Sequence, residues 1–131
     1  MKVRDVMQYP IHTVKPDVSV MDLMKTMSVE KEDAVLIARE GLLKKCEGII
    51  TKSQIYKRIF ASEEDPENVK VSEFMISKPL VTINPNASCK EAAELMIKHN
   101  IQRLPVVEDG ILVGMITSED LLKSVVINSK D

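Results

Sequence analysis

The sequence predicts a layered α/β fold built from two similar units packed as a pseudo-twofold pair, each running strand, helix, strand, strand, helix. Three observations carry that prediction: the chain is written twice, each copy holds an amphipathic helix opened by a serine, and each copy then holds two short apolar strands. Sliding the 131 residues against themselves aligns Val3 with Val71 and Met7 with Met75. One residue later in register, Pro10 meets Pro79, Thr13 meets Thr82, Pro16 meets Pro85, Ser19 meets Ser88 and Met27 meets Met96. Gly41 then aligns with Gly110. After an insertion around Leu43-Lys44-Lys45, the match resumes at Gly48/Gly114, Ile50/Ile116, Thr51/Thr117 and Lys57/Lys123. Repeat 1 is therefore residues 1–60 and repeat 2 is residues 71–131. The acidic, proline-interrupted stretch Ser62-Glu63-Glu64-Asp65-Pro66-Glu67-Asn68 lies in a linker at 61–70. A unit of about 60 residues has a marginal core alone, so the two are expected to complete each other, with a cleft where they meet.

Each element follows from local chemistry. Ile11 to Val14 reads as a short extended stretch, stopped by Lys15-Pro16-Asp17 because the residue before proline is pushed out of the helical region. Ser19 opens a helix whose apolar positions Val20, Leu23, Met24 and Met27 fall on one stripe, with Asp22 in the first turn. Repeat 2 answers with Ser88-x-x-Glu91, a capping-box pattern, and a buried stripe of Cys89, Ala92, Ala93 and Met96. Strands follow at Ala34 to Ala38 and Glu47 to Thr51, and at Leu104 to Val107 and Leu112 to Thr117, the last two joined by the turn Glu108-Asp109-Gly110. A closing helix runs from about Ser53 to Phe60 and from about Ser118 to Ile127.

Composition limits what such a chain can do. With 44% apolar and 29% charged residues it has the profile of an ordinary globular domain, with little room for a catalytic domain beside a regulatory one. Aromatic residues make up 3%, without tryptophan, which removes the rings needed to stack nucleic-acid bases. Eighteen Lys and Arg against 20 Asp and Glu leave a net charge of −2 and no field for a polyanion. Cys46 and Cys89 lack CxxC spacing and a nearby histidine, so buried thiols are expected and a metal centre is not. The sequence shows neither a signal-peptide h-region nor an apolar run long enough to span a membrane, and the expected setting is reduced and cytoplasmic.

Four motifs in fixed order carry a family resemblance. Val71-Ser72-Glu73-Phe74-Met75, Val81-Thr82-Ile83-Asn84-Pro85, Ile101-Gln102-Arg103-Leu104-Pro105-Val106-Val107 and Gly114-Met115-Ile116-Thr117-Ser118-Glu119-Asp120-Leu121 resemble the successive signatures of a CBS domain. Repeat 1 matches less closely through Val3-Arg4-Asp5-Val6-Met7, Thr13-Val14-Lys15-Pro16 and Gly48-Ile49-Ile50-Thr51. The resemblance implies a stand-alone tandem CBS pair, or Bateman module. Such a pair is a non-catalytic sensor that holds an adenosyl ligand (AMP, ADP, ATP, S-adenosylmethionine or NAD) between its repeats, associates as a flat homodimer and acts on a partner protein. No cofactor is implied beyond that regulatory ligand.

Thr117 and Asp120 are the most informative pair. As a bare helix start, Thr-x-x-Asp is explained by capping alone. The resemblance adds a second role, in which the Asp accepts from the ribose hydroxyls and the Thr lies by the sugar or phosphate. A carboxylate suits the task because its two oxygens accept from the 2′- and 3′-hydroxyls together. Repeat 1 has Thr51-Lys52-Ser53-Gln54 at that place, which keeps the capping pattern but offers one uncharged amide oxygen. The clefts are therefore expected to be unequal. The resemblance also implies that the sites cross between repeats. Asp120, Thr117 and Ser118 would share one with Met7, Tyr9, Pro10, Ile11 and His12, while Thr51 and Gln54 would share the weaker one with Ile76, Ser77, Pro79, Leu80, Arg103 and Pro105. Arg103 would hold a phosphate through its forked guanidinium, or is an ordinary surface arginine.

The remaining conspicuous residues have structural readings. His12 and His99 stand at non-equivalent places, so neither a metal pair nor a catalytic dyad is indicated. The methionines, among them Met21, Met24, Met27 and Met96, lie at helical spacing and read as packing. Lys44, Lys45, Lys52, Lys57 and Arg58 form the one basic concentration and read as a solvated face. No nucleophile with a nearby base and no Gly-rich phosphate loop supports an enzyme. The alternative to a sensor is a dimerisation or docking module with decayed clefts, which Gln54 favours.

Overall fold

The computed structural model describes residues 1–39, 45–77 and 79–128. Gly41 and the Leu43-Lys44 part of the repeat-1 insertion lie outside the described residues, as do the last three of repeat 2. The elements are β1 (Thr13–Val14), α1 (Val20–Glu30), β2 (Ala34–Ala38), β3 (Cys46–Thr51), α2 (Lys52–Tyr56), α3 (Val71–Phe74), α4 (Cys89–His99), β4 (Arg103–Glu108), β5 (Ile111–Thr117) and α5 (Ser118–Asn128). A 3₁₀ turn at Val3–Asp5 opens the chain, and a π turn at Lys57–Ala61 continues α2. The closing helix expected through Phe60 thus stops being α-helical after Tyr56.

Two compact units form, and they do not coincide with the sequence repeats. One joins Met1–Ile11 to the chain from Val81 onward, and the other is His12–Leu80. Each repeat therefore lends its leading segment to the body of the other. In the first unit the Val3 N–H donates to the Ala87 carbonyl at 2.8 Å, and the Cys89 N–H donates to the Met1 carbonyl at 2.9 Å. The second unit repeats the pattern, with the Val20 N–H on the Val69 carbonyl and the Val71 N–H on the Val18 carbonyl, both at 2.8 Å. Further along, Gln8 forms an antiparallel bridge with Met115 on β5, and Ile76 forms its counterpart with Ile49 on β3.

The helices begin and end as their sequences dictate. Ser19 Oγ accepts from the Asp22 N–H at 3.1 Å, and Ser88 Oγ accepts from the Glu91 N–H at 3.0 Å. Only this half of the box expected at Ser88 is made among the described residues. Lys31 and Asn100 take the left-handed conformation that stops α1 and α4. In the second unit β1 pairs parallel to β2, which pairs antiparallel to β3. In the first, β4 and β5 form a hairpin whose turn residues Asp109 and Gly110 both have positive φ. The first strand of repeat 2 is reduced to a single parallel bridge, Ile83 to Val106.

Apolar residues from both repeats fill each core. In the second unit, Leu23 of α1, Ile37 of β2 and Ile50 of β3 bury against Val71 and Phe74 of α3. In the first, Val3 buries against Met96 of α4, Leu104 and Val106 of β4 and Ile116 of β5. Removing either leading segment would uncover these side chains, each worth about 1.5–3 kcal/mol when buried. Neither cysteine is fully buried as expected: Cys46 and Cys89 are both half-buried.

Candidate functional site

In the first unit the start of α5 and the leading segment of repeat 1 come together around one carboxylate. Thr117 ends β5, and its Oγ1 accepts from the Asp120 N–H at 3.1 Å. Asp120 Oδ2 accepts in return from the Thr117 N–H at 2.9 Å, which fixes the carboxylate at the helix start. Gln8 lies on the facing strand edge, where its N–H donates to the Met115 carbonyl at 2.7 Å and its carbonyl accepts from the Met115 N–H at 3.2 Å. From that fixed backbone the Gln8 Nε2 donates to Asp120 Oδ2 at 3.2 Å and to Oδ1 at 3.4 Å. The carboxylate is half-buried and meets the leading segment of repeat 1 through Gln8.

The second unit builds the same corner with a neutral group. Thr51 Oγ1 accepts from the Gln54 N–H at 3.3 Å, and Gln54 Oε1 accepts from the Thr51 N–H at 2.8 Å. The Gln54 Nε2 donates to the Phe74 carbonyl at 3.2 Å, tying the start of α2 to the leading segment of repeat 2. The amide oxygen is thereby committed to the cap and the amide nitrogen to the backbone.

The residues assigned from sequence divide between the units. Asp120, Thr117 and Ser118 share the first unit with Met7, Tyr9, Pro10 and Ile11. His12 belongs to the second, where its Nδ1 lies 3.0 Å from Glu32 Oε1. Thr51 and Gln54 share the second unit with Ile76, Ser77, Pro79 and Leu80. Arg103 and Pro105 lie on β4 of the first unit, with Arg103 in register opposite Thr117. Of the basic cluster, Lys45, Lys52 and Lys57 are exposed, as a solvated face requires, whereas Arg58 is half-buried. Lys44 lies outside the described residues, and Lys52 pairs with Asp33 at 3.3 Å. Arg58 forks onto Glu64, donates to the Glu73 carbonyl at 2.7 Å and lies 3.9 Å from the Phe74 ring centroid. Among the described residues there is no group of three or more His, Cys, Asp or Glu able to hold a metal ion. No described helix is long and apolar enough to cross a membrane.

Sequence reasoning missed Gln8 and the Phe74 carbonyl. A signal for Gln8 exists in the repeat. Its counterpart is Ile76, so the copy with an acid at the helix start has a donor side chain in its facing segment, and the copy with a glutamine has none.

A β-hairpin or short sheet bearing a Thr-x-x-acid or Thr-x-x-amide helix start, made twice with exchanged leading segments, defines a tandem repeat module rather than two independent domains. The family model described as "CBS domain" matches residues 3–61 and again 71–127, and the chain belongs to that family as a tandem pair. It is 38% identical over 118 residues to the uncharacterized protein MJ0450 of Methanocaldococcus jannaschii, covering 90% of this chain and spanning 62% of that protein's length. It is 35% identical to the CBS domain-containing protein YhcV of Bacillus subtilis, over 91% of this chain and 81% of the relative. A solved putative signal-transduction protein with CBS domains from Burkholderia ambifaria superposes with a TM-score of 0.86 at 26% identity, covering 100% of this chain and 98% of that one. A CBS-CP12 protein from bloom-forming cyanobacteria, described as hexameric, gives 0.81 at 27% identity over 100% and 77% of the two chains.

Proposed function

We propose that the chain is a non-catalytic sensor that binds an adenosyl ligand (AMP, ADP, ATP, S-adenosylmethionine or NAD) at the Asp120 corner and passes the change to a partner protein. The family generally acts in regulation or sensing, which supports the class of activity. The observation that carries the ligand reading is the Asp120 carboxylate, held by the Thr117 N–H on one oxygen and turned toward the leading segment. Two acceptor oxygens on one rigid group match the two hydroxyl donors of a ribose, and the first amides of α5 favour an anion nearby. Binding would hold the leading segment of repeat 1 against α5 and so bias the surface offered to a partner.

Self-association belongs to the same proposal. Leu122, Val125 and Val126 lie on one side of α5 and are 70%, 68% and 74% exposed. In the second unit, Met24, Met27, Ile55, Tyr56, Ile59 and Phe60 line a groove of about 370 Å³ between α1 and the α2 region. A homodimer would cover such faces, and a hexameric relative is compatible with that habit.

The second reading is a dimerisation or docking module with decayed sites. Gln54 favours it for the second unit, because both ends of its amide are already used. A thermal-shift panel of the five ligands separates the readings. A ligand at 100 times its Kd should stabilise the fold by about 2.7 kcal/mol, and a panel without any shift overturns the sensor.

A further inference from the structure

We infer that Gln8 is a specificity-determining residue of the Asp120 site, an internal competitor that a ligand must displace with two hydroxyl groups at once. The inference rests on the reading of that corner as a ribose site. A carboxylate oxygen offers about two lone-pair positions. Asp120 Oδ2 already accepts from the Thr117 N–H at 2.9 Å and from Gln8 Nε2 at 3.2 Å, and Oδ1 accepts from the same nitrogen at 3.4 Å. Oδ2 therefore has no place for a third donor. A vicinal diol that bonds both oxygens must push the Gln8 amide aside.

The geometry makes Gln8 a persistent but weak competitor. Its backbone is fixed by two hydrogen bonds to Met115, so the displaced amide stays within reach of the carboxylate. Its own bonds sit at the long end of the hydrogen-bond range and the side chain is exposed, so a ligand can break them. A ligand with one hydroxyl can use only the open side of Oδ1, and trading Gln8 for it gains nothing. Two hydroxyls replace one nitrogen by two donors, which tilts the exchange toward the ligand. The device penalises only a ligand that engages both carboxylate oxygens, so it narrows the preference for ribosides over deoxyribosides that the carboxylate alone would give. The second unit lacks it, since Ile76 takes the equivalent place.

The test uses the whole chain, adenosine and 2′,3′-dideoxyadenosine, followed by titration calorimetry. Gln8→Ala should tighten adenosine about threefold to tenfold, the worth of one ordinary hydrogen bond, and leave the dideoxy compound unchanged. Gln8→Met, of similar length but without a donor, should do the same, which separates loss of competition from loss of a wall. Adenosine binding that weakens or stays the same in both variants overturns the competitor while leaving the ribose site standing. If neither wild type nor variants bind adenosine, or if Asp120→Ala binds it as well as wild type, the ribose reading fails and this inference with it.

Discussion

Gly114 and Met7 interlock: a Cβ built on Gly114 would lie 2.7 Å from Met7 Sδ and 2.9 Å from the Gln8 carbonyl oxygen. The other unit repeats the relationship, with a Gly48 Cβ 2.7 Å from Met75 Sδ and 3.0 Å from the Ile76 carbonyl oxygen. Strands β3 and β5 thus each accept the leading segment of the other repeat because they present bare backbone there. Glycine is required for close approach, since neither residue has a positive φ.

Gly114→Ala should therefore act through the leading segment. The methionine tail can swing away, but the Gln8 carbonyl cannot move without breaking its bond to the Met115 N–H. The expected cost is about 1–3 kcal/mol of overpacking, together with loss of the Gln8 contact to Asp120. Urea denaturation measures the first. Hydrogen exchange confined to residues 3–11 and 112–118 reports the second, and unchanged protection at the Gln8 and Met115 amides would contradict the account.

Arg58 makes a different kind of joint. Its guanidinium spans Glu64, the Glu73 carbonyl and the Phe74 ring, binding the π turn to the segment that follows the linker. Lysine keeps the charge but not the fork or the planar stack. Because both partners are partly exposed, Arg58→Lys should cost no more than about 1 kcal/mol. The urea midpoint should shift accordingly, and a sodium chloride series should narrow the gap between wild type and variant.

Much of this architecture was legible because the chain repeats itself. Ser19 and Ser88 mark helix starts by a cap that works in isolation, and Asp109-Gly110 specifies its hairpin by backbone conformation alone. What was hidden depends on distant partners. The helical turns at Val3–Asp5 and Val71–Phe74 are too short for a periodic signal, and burial and backbone hydrogen bonds against the other repeat hold them. Arg58 reads as a surface cation until Glu64, Glu73 and Phe74 are folded around it. Thr117 and Asp120 were found through their pattern, whereas Gln8 has no motif and becomes visible when the chain brings it to the carboxylate.

Cys46 should be a slow thiol and a source of alkaline instability. Burial pushes its pKa from the ordinary 9.0 up to about 11, opposed by hydrogen bonding with the Gly48 backbone and aided by the nearby Glu47 charge. A thiol whose pKa is raised on folding stays protonated in the native state while the unfolded chain loses its proton. Stability attributable to Cys46 is thus intact below pH 9 and falls between pH 9 and about 11. Cys46→Ala should flatten that stretch of the stability curve. At pH 8 iodoacetamide should label Cys46 far more slowly in the native chain than in urea, and equal rates would refute the effect.

Asp120 and Gln54 do the same structural work, and that equality makes them a controlled comparison. Each closes a capping box with the preceding Thr, and each reaches the leading segment of the other repeat, through Gln8 in one case and the Phe74 carbonyl in the other. Alanine at either position should therefore cost a similar amount, about 1 kcal/mol, for the lost cap. Their chemistry differs: the carboxylate has acceptor capacity for a diol, whereas the Gln54 oxygen is held by the Thr51 N–H and hydroxyl at 2.8 and 3.2 Å. Asp120→Ala should then abolish the thermal response to adenosyl ligands, and Gln54→Ala should leave it nearly intact. Asp120→Asn sharpens the contrast, because its amide oxygen can still accept the Thr117 N–H while its amide nitrogen meets the diol with a donor. It should keep most of the stability and lose the response. Equal loss of response from Asp120→Ala and Gln54→Ala would mean that both corners bind alike, and the distinction between carboxylate and amide would carry no functional weight.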